Sequence, residues 1–227
     1  NGRMIGSFGN AEVYSFHATK FMNTFEGGAV VTNDDDLAKR IRLMKNFGFA
    51  GNDNVIYIGT NGKMCEIAAA MGVTGLDSLD GFIAVNRRNH ELYERGLAGM
   101  PGLDPVVYNS GEKSNYQYVA VVVDEDVVGL SRDDLVRVLA AENVLARRYF
   151  YPGCHRMEPY RSYFPNAGLL LPHTEALTKR VMCLPTGTTV SPEMIDTVCR
   201  LIRLAATHAE QVRDALTRSA CSQTQPS

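Results

Sequence analysis

The segment Ser15-Phe16-His17-Ala18-Thr19-Lys20, followed closely by Glu26-Gly27-Gly28-Ala29-Val30-Val31-Thr32, constrains this chain more than any other. Ala11 to Phe16 reads as a strand, and Gly-Gly opens a second strand from Gly28 to Thr32. A short polar turn between two strands would hold Lys20 rigidly at the edge of a sheet. A lysine withdrawn from water loses its proton more readily and becomes a candidate amine for Schiff-base chemistry. Ser15, five residues upstream, would place a hydroxyl beside the same turn as a phosphate ligand. Together the two suit a phosphorylated aldehyde cofactor. By spacing alone the catalytic case is weak, and Lys20 reads first as a solvated surface charge, the commonest state of a lysine.

At 227 residues the chain suits one large domain or two small ones. A formal charge of −2 offers no broad basic field, so neither nucleic acid nor an anionic membrane is an expected partner. No apolar run approaches the roughly 18 residues of a membrane span. The first residues lack the plan of a signal peptide. The five cysteines (Cys65, Cys154, Cys183, Cys199 and Cys221) are odd in number, scattered and without a Cys-x-x-Cys pair. That argues against a disulfide framework and a zinc site, and predicts a soluble cytoplasmic protein with no metal.

Asn33 or Asp34 can cap a helix whose apolar positions Leu37, Ile41 and Met44 recur at helical spacing, ending at Gly48. Residues 49 to 63 read as a Gly/Asn-rich loop. Met64 to Leu79 is predicted helical, with a nearly uncharged Ile67-Ala68-Ala69-Ala70-Met71 side that allows close packing. A long amphipathic helix over Asp80 to Ala98 closes at Gly99-Met100-Pro101-Gly102, the expected domain boundary. Beyond it the pattern predicts strands at Pro105–Tyr108, Tyr116–Val123 and Val144–Phe150, and a helix opened by Ser131. A helix near Thr174–Val181, a short Met182–Pro185 segment and a last helix with Ser191 as cap and Pro192 at its first position complete the domain. The expected division is 1–98, 99–217 and a disordered tail over 218–227.

Three motifs in order identify a resemblance. Ser15–Lys20 with Glu26–Thr32, then Gly59-Thr60-Asn61-Gly62-Lys63-Met64, and an alanine-rich segment resemble the DegT/DnrJ family of pyridoxal-phosphate-dependent sugar aminotransferases. The likeness runs from about Gly6 to the late 210s. It implies an α/β, fold-type I transferase, with residues 1–98 the later part of the large cofactor domain and 99–217 a small α+β domain. Tyr149-Phe150-Tyr151-Pro152-Gly153-Cys154-His155, with Glu158-Pro159-Tyr160, is most similar to enzymes that aminate a dTDP-4-keto-6-deoxyhexose at C4.

The resemblance makes Lys20 the Schiff-base lysine and proton shuttle, and Ser15 a ligand of the pyridoxal 5'-phosphate phosphate. His17 could face the pocket, but is expected to be satisfied by backbone. Asn61 matches a loop that reaches into a neighbouring protomer's site, which implies an obligate homodimer with shared sites. Lys63 stands where many members have Arg, so a bidentate fork toward the nucleotide diphosphate is replaced by a point charge. His155, with Tyr149 or Tyr151, would border the sugar pocket, although the proline of this segment is shifted relative to the family pattern. Cys154 beside His155 lacks an orienting Asn or Asp for a nucleophilic dyad.

The implied activity transfers an amino group from glutamate to a keto group of a nucleotide-linked deoxysugar. Alternatives are C3 amination of an isomeric keto sugar, a dehydratase of the same family, which Lys20 argues against, and a non-catalytic binding protein on the same fold. In the family, the ring-nitrogen aspartate, the stacking aromatic residue and the phosphate-binding helix start precede the turn at Asn1–Gly6. The expectation is therefore a fragment of a longer enzyme, inactive on its own.

Overall fold

The computed structural model describes residues 2–222. The chain divides into two compact units, Asn1–Gly81 and Phe82–Ser227.

In the first unit, β1 (Glu12–Ser15) and β2 (Gly28–Val31) form an antiparallel hairpin with Ser15 opposite Gly28. The helix α1 (Asp35–Met44) starts where predicted: Asp34 accepts from the Leu37 amide at 2.9 Å, and Asp35 and Asp36 sit in the first turn. The stretch expected to be a loop contains a small hairpin, β3 (Phe49–Gly51) with β4 (Asn54–Val55). Asn52-Asp53 is turn chemistry flanked by residues that can pair, so the polar composition hid two short strands. The helix α2 (Glu66–Asp77) buries only Ala68 and Gly72. Gly72 is small for a reason, since a Cβ there would meet Thr24 Cγ2 at 2.9 Å. The small residues read from the sequence thus bring α2 against the loop that carries Lys20.

The second unit is organised by α3 (Leu79–Leu97) and a three-stranded antiparallel sheet of order β5 (Leu103–Pro105), β6 (Val119–Val123), β7 (Val181–Leu184). Strand β6 alternates, with Val119, Val121 and Val123 buried, as period two requires of a sheet covered on one face. Leu97, Leu135, Leu139, Met182, Ile195 and Ile202 complete that core. They come from α3, α5 (Arg132–Ala141), β7 and α9 (Pro192–Thr207). Ser131 opens α5 with a capping box to Asp134, and Ser191 caps α9 by accepting from Met194, with Pro192 in the first turn. The short α4 (Glu125–Val128) follows β6. A 3₁₀ turn (Cys154–Arg156), α6 (Tyr160–Tyr163), α7 (Ala167–Leu170) and α8 (Pro172–Arg180) lead into β7.

Three expectations change here. The division falls at the start of α3 and not at Gly99–Gly102. The buried stripe Asn86, Asn89, His90, Tyr93 and Leu97 ties α3 to its own C-terminal unit: Tyr93 donates to the Pro185 carbonyl at 2.9 Å and Asn89 to Gly187 at 3.1 Å. The Gly102 turn is itself held within that unit, accepting from the Asp124 amide at 2.8 Å. Val144–Phe150 is not a strand. A single bridge joins Arg147 to Cys183, after which Tyr151 N turns back to Arg148 O at 2.8 Å, and Pro152 has no amide to continue a ladder. Finally, residues 218–222 continue α10 (Ala209–Ser222), whose Ala209 and Val212 pack on the core and whose Leu216 carbonyl accepts from Arg137. The remainder of the expected tail, 223–227, lies outside the described residues.

Candidate active site

In the first unit the loop between β1 and β2 is built from its own polar groups. Lys20 N donates to His17 O at 2.8 Å, and Thr24 N donates to Phe16 O at 2.9 Å. His17 takes one backbone partner, the Thr19 amide donating to Nδ1 at 3.3 Å, and two side-chain ones: Nδ1 lies 2.9 Å from Thr19 Oγ1 and Nε2 3.5 Å from Glu26 Oε1. The Glu26-Gly27-Gly28 turn has steric causes. Gly27 has φ +153°, and a Cβ on it would lie 2.6 Å from Thr24 Oγ1; one on Gly28 would meet the Tyr14 carbonyl at 2.6 Å. Lys20 therefore stands on a defined turn, but its side chain is exposed and not desolvated. Two four-residue strands cannot enclose their own connecting loop.

Ser15, at the end of β1, is also exposed. Its Oγ accepts from the His17 amide at 3.4 Å, which leaves its own hydrogen free to donate. Asn61 is bridged to Asn46, in a segment whose Thr60 and Gly62 amides satisfy the Met44 and Lys45 carbonyls at 2.8 Å. These bonds close the end of α1 and fix the loop. The Lys63 ammonium stacks 4.2 Å over the Phe47 ring. A groove of about 590 Å³ between the hairpin and α1 takes in Gly28, Lys45, Gly62 and Met64 but none of these four candidates.

In the second unit, Tyr149 and His155 share the wall of a cavity of about 530 Å³. Phe150, Leu171, Leu177 and Val181 make it largely apolar. His155 Nε2 lies 2.6 Å from Glu175 Oε1, which also accepts from Arg156 Nε at 2.6 Å. The bonds from Arg156 and His155 hold the Glu175 carboxyl down to about 2. Tyr149 stacks on Phe150 at 3.7 Å, and its hydroxyl accepts from Tyr118 at 3.5 Å. That bond, with burial second, pushes the Tyr118 phenol up to about 12. Tyr151 does not line the cavity. Its ring lies between Arg132 and Arg148, at 5.2 and 4.9 Å. Sequence reasoning missed Glu175, Tyr118 and Arg147, the last stacked 5.2 Å over Tyr149. Only the helical placement of Glu175 was visible in advance, not its partner.

A model of the DegT/DnrJ/EryC1/StrS aminotransferase family matches residues 1–203. The chain belongs to this family. It is 34% identical over 197 residues to the dTDP-4-amino-4,6-dideoxy-D-glucose transaminase of Shigella dysenteriae, covering 86% of this chain and 52% of that one. The crystal structure of DesI in the presence of its TDP-sugar product superposes with a TM-score of 0.86 at 49% identity, over 96% of this chain and 55% of that one. The crystal structure of S. venezuelae DesV in complex with a ketimine intermediate gives a TM-score of 0.80 at 28% identity over 90% of this chain and 54% of that one. The chain thus spans about half the length of the curated relatives it matches. The α/β architecture is that of the fold-type I transferases, and pyridoxal 5'-phosphate is the cofactor of this aminotransferase family. The residues present fit that group chemically: an exposed amine and a hydroxyl with a free hydrogen sit at one end of one hairpin. Among the described residues no single helix is long and apolar enough to cross a membrane.

Proposed function

We propose that the protein is a pyridoxal-phosphate-dependent aminotransferase that moves an amino group from glutamate to C4 of a dTDP-4-keto-6-deoxyglucose-type nucleotide sugar. The observation that carries this reading is the 49% identity to DesI, together with its fold, over 96% of the chain. The dTDP-4-amino-4,6-dideoxy-D-glucose transaminases support the same carbon.

In this reading the bound cofactor supplies an electron sink and a carbonyl carbon at which amines exchange. Lys20 contributes the amine that attaches the cofactor and later carries the proton at Nζ. Ser15 Oγ donates to its phosphate, a role open to it because that hydrogen is uncommitted within the loop. Asn61 completes the cofactor site of a second copy, making the enzyme a homodimer with shared sites. Lys63 meets the nucleotide diphosphate as a point charge, and Tyr149 and His155, which share the cavity wall, orient the sugar. Localisation in the cytoplasm accords with nucleotide-sugar chemistry.

The test uses the full-length protein with added pyridoxal phosphate, measuring visible absorbance and, after borohydride, the mass of the labelled peptide. Attachment at Lys20, lost in both Lys20→Ala and Lys20→Arg, is the expected result. A cofactor-sized adduct persisting at a different lysine would overturn it.

A further inference from the structure

We propose that Glu175 is a positioning residue for substrate recognition: it aims the His155 imidazole so that Nδ1 is presented to the cavity as an acceptor for a sugar hydroxyl. The inference rests on the nucleotide-sugar reading above and adds a residue to it. At 2.6 Å the Nε2–Oε1 separation is that of a charge-assisted bond, with the hydrogen on Nε2. In a neutral ring the lone pair then falls on Nδ1.

The surroundings are shaped for that arrangement. Nδ1 lies on the side of Gly153, which is itself in the cavity wall. A Cβ on Gly153 would stand 3.2 Å from Nδ1 and 3.0 Å from Cε1, so a side chain there would crowd the free nitrogen. On the other side of the pair, a Cβ on Gly168 would lie 3.0 Å from Glu175 Oε1 and 2.5 Å from Arg156 Nη2. Bare backbone on both flanks lets imidazole, carboxylate and guanidinium lie in contact. Arg156 keeps the carboxylate ionised, and α8 carries it as part of a regular helix, so the acceptor does not wander.

A purely structural clamp would need none of this at a cavity. His155 is part of a largely apolar wall with Phe150, Leu171, Leu177 and Val181, where one aimed acceptor discriminates strongly because little else can satisfy a buried hydroxyl. Thr178, in the same wall, already directs its hydroxyl to the Glu175 carbonyl at 3.3 Å.

The experiment uses the full-length holoenzyme. Glu175→Gln preserves size and an acceptor, whereas Glu175→Leu removes the acceptor. Glu175→Leu should raise KM for the keto sugar nucleotide on the order of tenfold, and Glu175→Gln less, with the glutamate half-reaction unchanged. NMR of the histidine ring nitrogens should show His155 as the Nε2–H tautomer in the wild type and as a mixture in Glu175→Leu. Added to His155→Gln, Glu175→Leu should cause no further rise in KM, because it acts only through the imidazole. An unchanged KM and tautomer with lowered stability would reduce Glu175 to a clamp and overturn the proposal, as would additive losses in the double variant. A wild type that exchanges amine with glutamate yet aminates no keto sugar nucleotide would defeat the function proposed above instead; the tautomer measurement then decides on Glu175 by itself.

Discussion

Gly27 approaches Thr24 so closely that a Cβ on the glycine would lie 2.6 Å from the threonine Oγ1. Thr24 cannot yield easily: it is 1% exposed, its hydroxyl donates to Glu26 O at 2.9 Å, and its methyl stands against Gly72 of α2. Gly27 also holds φ at +153°, a conformation strained for any other residue. Gly27→Ala should therefore cost about 1–3 kcal/mol. It should weaken pyridoxal-phosphate attachment at Lys20, the other end of the same loop. Denaturant unfolding and cofactor titration of the full-length variant check both; unchanged values in both would mean the turn does not set the lysine.

Acid should release the His155–Glu175–Arg156 cluster. The Glu175 pKa is lowered from the ordinary 4.5 to about 2 by Arg156 first and His155 second. A carboxyl with a depressed folded-state pKa contributes stability that is fully present above its unfolded value and is lost as pH falls through the folded one. The window therefore runs from 4.5 down to about 2. Thermal melts across it should fall more steeply for the wild type than for Glu175→Gln, and parallel curves would contradict the assignment.

Subunit mixing tests the shared site. Asn61→Asp and Lys20→Ala proteins, each inactive, should regain activity when combined, because one of the two sites in a mixed dimer keeps both residues. If mass spectrometry shows exchanged subunits and no activity returns, each protomer builds its site alone.

Tyr93→Phe should destabilise the C-terminal unit by about 1–3 kcal/mol, since it leaves the Pro185 carbonyl without its partner inside the core. The phenol is fully buried, its hydroxyl donates at 2.9 Å, and burial raises its pKa. Circular dichroism during urea unfolding measures the difference from the wild type. A shift smaller than a few tenths of a kcal/mol would show that water takes over the carbonyl.

The local signals were legible in the chain itself. Asp34, Ser131 and Ser191 each cap the helix they introduce, because a cap and its amide partner are only three residues apart. Strand alternation around the Lys20 turn and the small residues of α2 are likewise written within a few positions. Tertiary structure decided what depends on distant partners. His155 meets Glu175 across 20 residues and Arg147 bridges Cys183 across a longer gap, so neither the orientation of the imidazole nor the end of the expected strand at 144–150 follows from spacing. Tyr151, alike in sequence to Tyr149, turns to two arginines and not to the cavity, because the chain folds back at Arg148. The placement of α3 with the second unit was settled in the same way, by carbonyls of 185–187 that satisfy its buried polar stripe. A sequence specifies each residue's own conformational preference, whereas burial and pairing are properties of whichever segments the fold brings together.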